Sequence, residues 1–375
     1  VGWGVWMELE RFRAEFPVLE WVCWLFTPSC GPGARRVVEA VRAELAEWDS
    51  SSWEERDRPA QHSRRMMAGV LGVSPADVAL VQSVAEGAST VAASLPDGSR
   101  VVVGDAEYRS VVFPWLAAER RGVRVHQVPM PEGVLRSTAL IEAITEDTTL
   151  VAVSDVQSSS GARVDLVAVA ERCREVGARL FVDATQSAGV LRLPEAVRPD
   201  FVAVHGYKWL LCPRGAAWLY VRPDRLEELV PLAPNAHSGP RPWTEYYGGP
   251  LEYAQDARRL DMSLCWPSWA GAAVALDLVG ALDPVSLEEH CLGLAGMLRE
   301  GLAELGLKCL PSEVPSHIVS VAVPDADAAL SVLREAGIRA TARAGALRFG
   351  FHGFNTADDV ARVLSALRPL AGNGA

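Results

Sequence analysis

An apolar run, Arg179-Leu-Phe-Val, ends in Asp183 and continues as Ala-Thr-Gln186. A second apolar run, 201–204, leads into His205-Gly-Tyr-Lys208, in a turn that closes at Pro213-Arg-Gly215. A lysine amine at the end of an apolar strand can condense with a carbonyl carbon, and burial there favours the neutral amine that this reaction needs. A carboxylate at another strand end can hold a ring nitrogen protonated, so that the ring accepts the electrons of a bond being broken. Lys208 and Asp183 are thus the pair that a pyridine aldehyde, pyridoxal phosphate, requires. The plain alternatives are a solvated surface lysine and an acidic strand cap. The Trp209-Leu-Leu that follows Lys208, and the placing of Gln186 after Asp183, weigh against both.

Strand-like and helix-like runs alternate around these residues. Strands are expected at 78–82, 100–103, 123–128, 149–153, 180–182, 201–204 and 216–221, and helices from 86 and over 109–120, 137–145 and 165–175. Short β-branched runs between helices predict an α/β architecture, a mostly parallel sheet covered on both faces. Ligands on such sheets sit at the carboxyl ends of strands, where Ser83, Asp105, Asp183 and His205 fall. The segment Gln82-Ser83-Val84-Ala85-Glu86 opens a helix, and its backbone N–H groups and dipole suit a phosphate. Residues 232–249, rich in Pro, Gly and aromatic rings, read as a long irregular loop near the site. Trp243, Tyr246, Tyr247, Trp266 and Trp269 are expected to line a roomy pocket. Helices follow at 269–279 and 286–305. A second α/β pattern then comprises strands 317–323, 338–341 and 346–351 and helices 326–336 and 356–370, a small α+β unit.

The whole chain bounds the possibilities. Its 375 residues, 49% hydrophobic and 22% charged, are those of a protein able to bury a large core. A net charge of −11 argues against a nucleic-acid binder. Seven scattered cysteines without a Cys-x-x-Cys read as reduced thiols of a cytoplasmic protein, with no metal site. No stretch approaches the ~18 apolar residues of a membrane span. Residues 1–6 read as an extension before Met7 and not as a signal peptide.

Taken together, these residues resemble the class V aminotransferase family of fold-type I pyridoxal-phosphate enzymes. The resemblance runs from about residue 10 to 370. It rests on Arg13-Ala-Glu-Phe-Pro17, on the Asp183 and Lys208 elements, and on Leu347-Arg348-Phe-Gly-Phe-His352-Gly-Phe-Asn355-Thr-Ala-Asp-Asp359. It implies a large cofactor-binding domain over 31–265, a small C-terminal domain over 266–375, and an N-terminal segment, 1–30, packed on the small domain. It implies that Lys208 forms the Schiff base, that Asp183 pairs with the pyridinium nitrogen, that Gln186 donates to the phenolate oxygen, and that Tyr108 stacks on the ring. Ser83, Val84, Ala85, His205 and Tyr207 become phosphate contacts. Ser263, in Arg259-Leu-Asp261-Met-Ser263, reaches the neighbouring subunit's phosphate in a homodimer with shared active sites. Arg348 clamps the α-carboxylate of an amino-acid substrate, with Ser158 near substrate and cofactor. His352 and Asn355 are structural. This chain departs from the family pattern where Val84 and Ala85 replace hydroxyl residues and where Ser158 replaces an asparagine.

The absence of any cysteine after Cys309 sets the chain apart from the desulfurases of the family. The kynureninase-like, isopenicillin N epimerase-like and C–S lyase-like branches remain. Three outcomes stay open: a lyase or aminotransferase-like reaction on a modified amino acid, an epimerisation, or a ligand-binding protein that has kept the fold without the chemistry.

Overall fold

The computed structural model describes residues 7–371; the extension read at 1–6 lies outside them. The strands, in chain order, are β1 (Cys23–Trp24), β2 (Val78–Val81), β3 (Arg100–Gly104), β4 (Arg124–Val128), β5 (Leu150–Ser154), β6 (Arg179–Asp183), β7 (Phe201–His205), β8 (Ala217–Val221), β9 (Ile318–Ala322), β10 (Ile338–Arg339), β11 (Thr341–Arg343) and β12 (Ala346–Gly350). Seven of them form one sheet in the order β2-β8-β7-β6-β5-β3-β4. Only β8 runs against its neighbours, so the sheet is mostly parallel, as its β-branched runs predict.

Burial on both faces follows from the strand period of two. Val101 and Val103 face one apolar cluster, with helices Val84–Ser94 and Arg109–Ala118. Val102, Val151, Val153, Val182 and Val204 face the other. The helix Trp266–Gly280 is apolar nearly all round and lies against helices Arg35–Ala46 and Trp53–Leu71. The sequence reading leaves those two helices unassigned because their exposed faces are dense in Arg and Glu. The start of the second was legible in local chemistry. The Ser52 hydroxyl accepts from the Glu55 N–H at 3.3 Å, and the Glu55 carboxylate accepts from the Ser52 N–H at 2.9 Å, a reciprocal cap.

The C-terminal part holds the antiparallel sheet β11-β12-β9. The strand expected over 338–341 divides in two. Ile338 and Arg339 pair in parallel with Cys23 and Trp24, whereas Thr341 to Arg343 turn into the three-stranded sheet. The chain before residue 30 is thereby tied to this part. Arg13 also donates to the Phe354 carbonyl and lies 3.7 Å from the Asp359 carboxylate.

Candidate active site

The carboxyl ends of β5, β6 and β7 and the amino end of helix Val84–Ser94 converge on one cleft. It is lined by Val84, Tyr108, Ser110, Ser154, Val156, Ser158, Asp183, Thr185, Gln186, His205, Tyr207 and Lys208. Adjacent parallel strands bring Asp183 and His205 together, because β6 and β7 end side by side. The turn after His205 folds back through Leu211, held at φ 60°, whose N–H donates to the Lys208 carbonyl. That turn carries the buried Lys208 over the strand ends.

Burial pushes the Lys208 ammonium down to about 7. Asp183 opposes this shift, while the charges of Arg348 and Arg343 add to it. Burial raises Asp183 above the usual carboxylate range, against the Thr185 hydrogen bonds and the charge of Lys208. Its carboxylate accepts from the Thr185 N–H at 2.9 Å, and the Thr185 hydroxyl accepts from the His205 N–H at 3.1 Å. His205 is pushed down to about 4 by burial, then by the charges of Arg214 and Lys208. It is therefore neutral at pH 7, and its buried Nε2 has no hydrogen-bond partner. The Lys208 Nζ stands 5.5 Å from the Tyr108 ring centre and 5.7 Å from that of Tyr207.

Gln186 is tied into the protein on every side. Its Nε2 donates to the Pro28 carbonyl at 3.0 Å and the Ser158 hydroxyl at 3.1 Å, and its Oε1 accepts from the Trp209 indole at 2.8 Å. A donation to a cofactor oxygen requires one of those bonds to be exchanged. Arg348, on β12, is 2% exposed. It donates to the Ser158 carbonyl and, at 2.7 Å, to the Ser29 hydroxyl, and its buried Nε is unpartnered. Ser158 thus joins Gln186 to Arg348. Burial, then the charge of Arg343, lowers the Arg348 guanidinium to about 9.

Not every expected residue lines the cleft. Ser83 caps its helix, its hydroxyl accepting from the Glu86 N–H at 3.3 Å, and only Val84 of the expected 83–85 segment borders the space. Ser263 is exposed; its carbonyl accepts from Gln82 Nε2 at 2.8 Å. The aromatic residues expected to line a roomy pocket do not border this chain's cleft. Trp269 is fully buried against Trp218. Trp243 and Trp266 each donate an indole N–H, both at 2.9 Å, to the buried Asp57 carboxylate, which also meets His237 at 3.0 Å. An indole N–H taken out of water needs an acceptor, and Asp57 draws the loop onto helix Trp53–Leu71.

Residues the sequence reading missed are Thr185, Ser154, Ser110 and Val156 in the cleft, and Pro28 and Ser29 on the N-terminal segment. Thr185 stood inside the Asp-Ala-Thr-Gln element and was legible as a side chain able to bond at a strand end. Pro28 and Ser29 carry no local signal. His352 and Asn355 are tied to the protein by hydrogen bonds: His352 Nε2 bonds the Trp209 carbonyl at 2.8 Å, and Asn355 Nδ2 donates to Trp24 O at 3.0 Å.

The aminotransferase class-V family model matches residues 25–363, and the chain belongs to this family. An uncharacterized aminotransferase, YcbU, of Bacillus subtilis (strain 168) is 28% identical over 96% of this chain and 97% of its own length. Isopenicillin N epimerase of Streptomyces clavuligerus is 27% identical over 97% of this chain and 99% of its own. A solved cysteine desulfurase from Thermococcus onnurineus NA1 superposes with a TM-score of 0.85 at 19% identity, over 97% of this chain and 98% of that one. That last likeness is one of fold, the fold-type I architecture expected from the sequence. The protein is an enzyme of this fold, and class V aminotransferases use pyridoxal phosphate. The residues present fit that group. A buried amine near neutrality, a buried carboxylate and an orphaned imidazole nitrogen share one cleft with a helix amino end.

Proposed function

We propose that this enzyme acts on an α-amino acid through Lys208 and eliminates a group from the substrate's β-position, as a lyase does. When bound, pyridoxal phosphate supplies an aldehyde that takes up amines and a ring that accepts the electrons of a bond broken at Cα. Lys208 would hold the aldehyde carbon, Asp183 the ring nitrogen, and Tyr108 the ring face. The backbone at Val84, with His205 Nε2 and Tyr207, would hold the phosphate. Arg348 would take the substrate carboxylate and so fix which Cα bond stands open to attack. A Lys208 amine poised near pH 7 can take a proton from Cα and return it at the leaving group. The buried Lys208, in one cleft with Asp183 and the amino end of helix Val84–Ser94, is the observation that carries the reading of chemistry through this lysine.

Epimerisation is the second reading. It needs a proton carrier on each face of Cα, of which Lys208 would be one. The likeness to isopenicillin N epimerase favours it, and aminotransferase-like turnover is the remaining outcome. The test incubates the protein, loaded with pyridoxal phosphate, with cysteine S-conjugates in deuterated water. Pyruvate and thiol support the lyase. Deuterium at Cα with inversion and no pyruvate selects the epimerase. A keto acid formed with transfer of the amino group selects the transaminase.

We further propose that the protein is a cytoplasmic homodimer and that each chain divides at about residues 31 and 266. The exposed rings of Trp53 and Tyr246, with the nearby Tyr247, which is 97% exposed, support the dimer. Among the described residues no single helix is long and apolar enough to cross a membrane.

A further inference from the structure

The chain carries 47 acidic residues against 36 Lys and Arg, yet some of its arginines stand without an ion pair. Arg214, Arg339 and Arg343 are exposed, and among the described residues none has a carboxylate within 4.0 Å. Arg214 stands with its guanidinium carbon 5.5 Å from the Tyr207 ring centre, and that same ring borders Lys208. Arg339 is held between Trp24 and Phe26, at 5.1 and 4.9 Å, which fixes a long side chain that would otherwise sample many rotamers. Arg343 lies two residues beyond Thr341 on β11, and Thr341 is the direct partner of Arg348 on β12. Residues two apart on a strand share a face, and directly paired residues of antiparallel strands share it too. Arg343 and Arg348 therefore emerge from one face of the small sheet. Their charges both reach the Lys208 amine, whereas Arg214 lies over Tyr207 and Arg339 lines a separate cavity with Val22 and Phe26.

One guanidinium suffices for an α-carboxylate, and Arg348 already stands deepest. Arg343 adds a second unpaired cation on the sheet face of Arg348, where an anion is favoured. We propose that Arg343 receives a second carboxylate on the substrate's side chain, so that this enzyme takes ω-acidic amino acids. The inference rests on the reading that Lys208 and Arg348 take the amino and α-carboxyl groups.

The test titrates the protein loaded with pyridoxal phosphate, following the visible absorbance of the lysine-linked cofactor, with L-aspartate, L-glutamate and L-2-aminoadipate. Their neutral counterparts are L-asparagine, L-glutamine and L-norleucine. In the pair of best length the acid should bind about 10-fold or more tightly than its counterpart, the worth of one charge-assisted contact. The gap should narrow at about 1 M salt, where screening acts over only ~3 Å. It should largely vanish in Arg343→Gln and persist in Arg343→Lys. Equal binding of both members of every pair by the wild type overturns the inference. So does a gap that survives in full in Arg343→Gln. A protein that never acquires the absorbance band overturns the proposed function as well, which separates the two failures.

Discussion

Lys208 is where the chemistry of a single side chain is set by its surroundings. A lysine whose folded-state value falls to about 7 binds fewer protons than the unfolded chain above that pH. The penalty of burying its charge is fully present below about 7 and is relieved as pH rises towards the ordinary lysine value of 10.5. Stability of the cofactor-free wild type, relative to Lys208→Met, should accordingly rise with pH across that window, by at most ~1.4 kcal/mol per pH unit. Thermal melts of both proteins at pH 6 and pH 10 check this; a constant difference would contradict it. Lys208→Ala should lose the visible band of the lysine-linked cofactor. Asp183→Asn should keep the band but lose roughly 10²–10³-fold in turnover, the usual cost of removing one preorganised charged partner. Steady-state kinetics on the amino acid that the deuterated-water assay shows to be turned over reads that loss. Both residues were legible in the sequence because Asp183 closes one apolar strand and Lys208 follows another in a short turn, and strand ends are where an α/β sheet presents chemistry.

At the scale of elements, the segment joining β1 to helix Arg35–Ala46 acts as a strap across the site. Pro28 and Ser29 bond Gln186 and Arg348, and the Gly31 N–H donates to the Tyr207 carbonyl at 3.1 Å. A Cβ at position 31 would come within 2.6 Å of the Lys208 carbonyl oxygen. Gly31→Ala should therefore push the strap off the lysine turn and raise the KM for substrate several-fold, while Ser29→Ala should cost ~1 kcal/mol in carboxylate binding. Parallel kinetics on the two variants separates backbone displacement from a lost hydrogen bond. The Asp57 anchor is a second case. Burial raises its carboxyl, but hydrogen bonds from His237, Trp243 and Trp266 outweigh burial and hold it below the usual range. Its contribution is present above the ordinary aspartate value and is lost as pH falls through the depressed one. Asp57→Ala should cost about 3 kcal/mol, through stranded donors, and expose the 232–249 loop to protease at neutral pH. Limited proteolysis with mass mapping of the cuts is the check. No local pattern announced either device, since both join residues far apart in the chain.

For the whole molecule, the expected α/β order of strands and helices and the small C-terminal sheet are present. The departures are instructive. The run at 338–341 looked like one strand because its composition is continuous, but its two halves pair with different partners. The aromatic loop looked like a pocket wall because rings suit ligands, but three of its neighbouring donors found one buried carboxylate first. The exposed Trp53, Tyr246 and Tyr247 leave an apolar surface that a second copy would cover. Sedimentation should give about twice the monomer mass of 40.4 kDa, and a Trp53→Glu, Tyr247→Glu double variant should shift it towards monomer.

By itself the sequence determined the alternation of strands and helices, and it located the acidic strand end at Asp183 and the lysine turn at Lys208, the pair proposed to act. These depend on periodicity and on spacing along one chain. Only the tertiary structure decided that Ser29 would brace Arg348, that Asp57 would gather the indoles, and that Arg343 would rise beside Arg348 while Arg214 closed in over Tyr207. Those arrangements come from buried donors seeking acceptors and from strand pairing across long separations, and neither leaves a mark on the order of neighbouring residues.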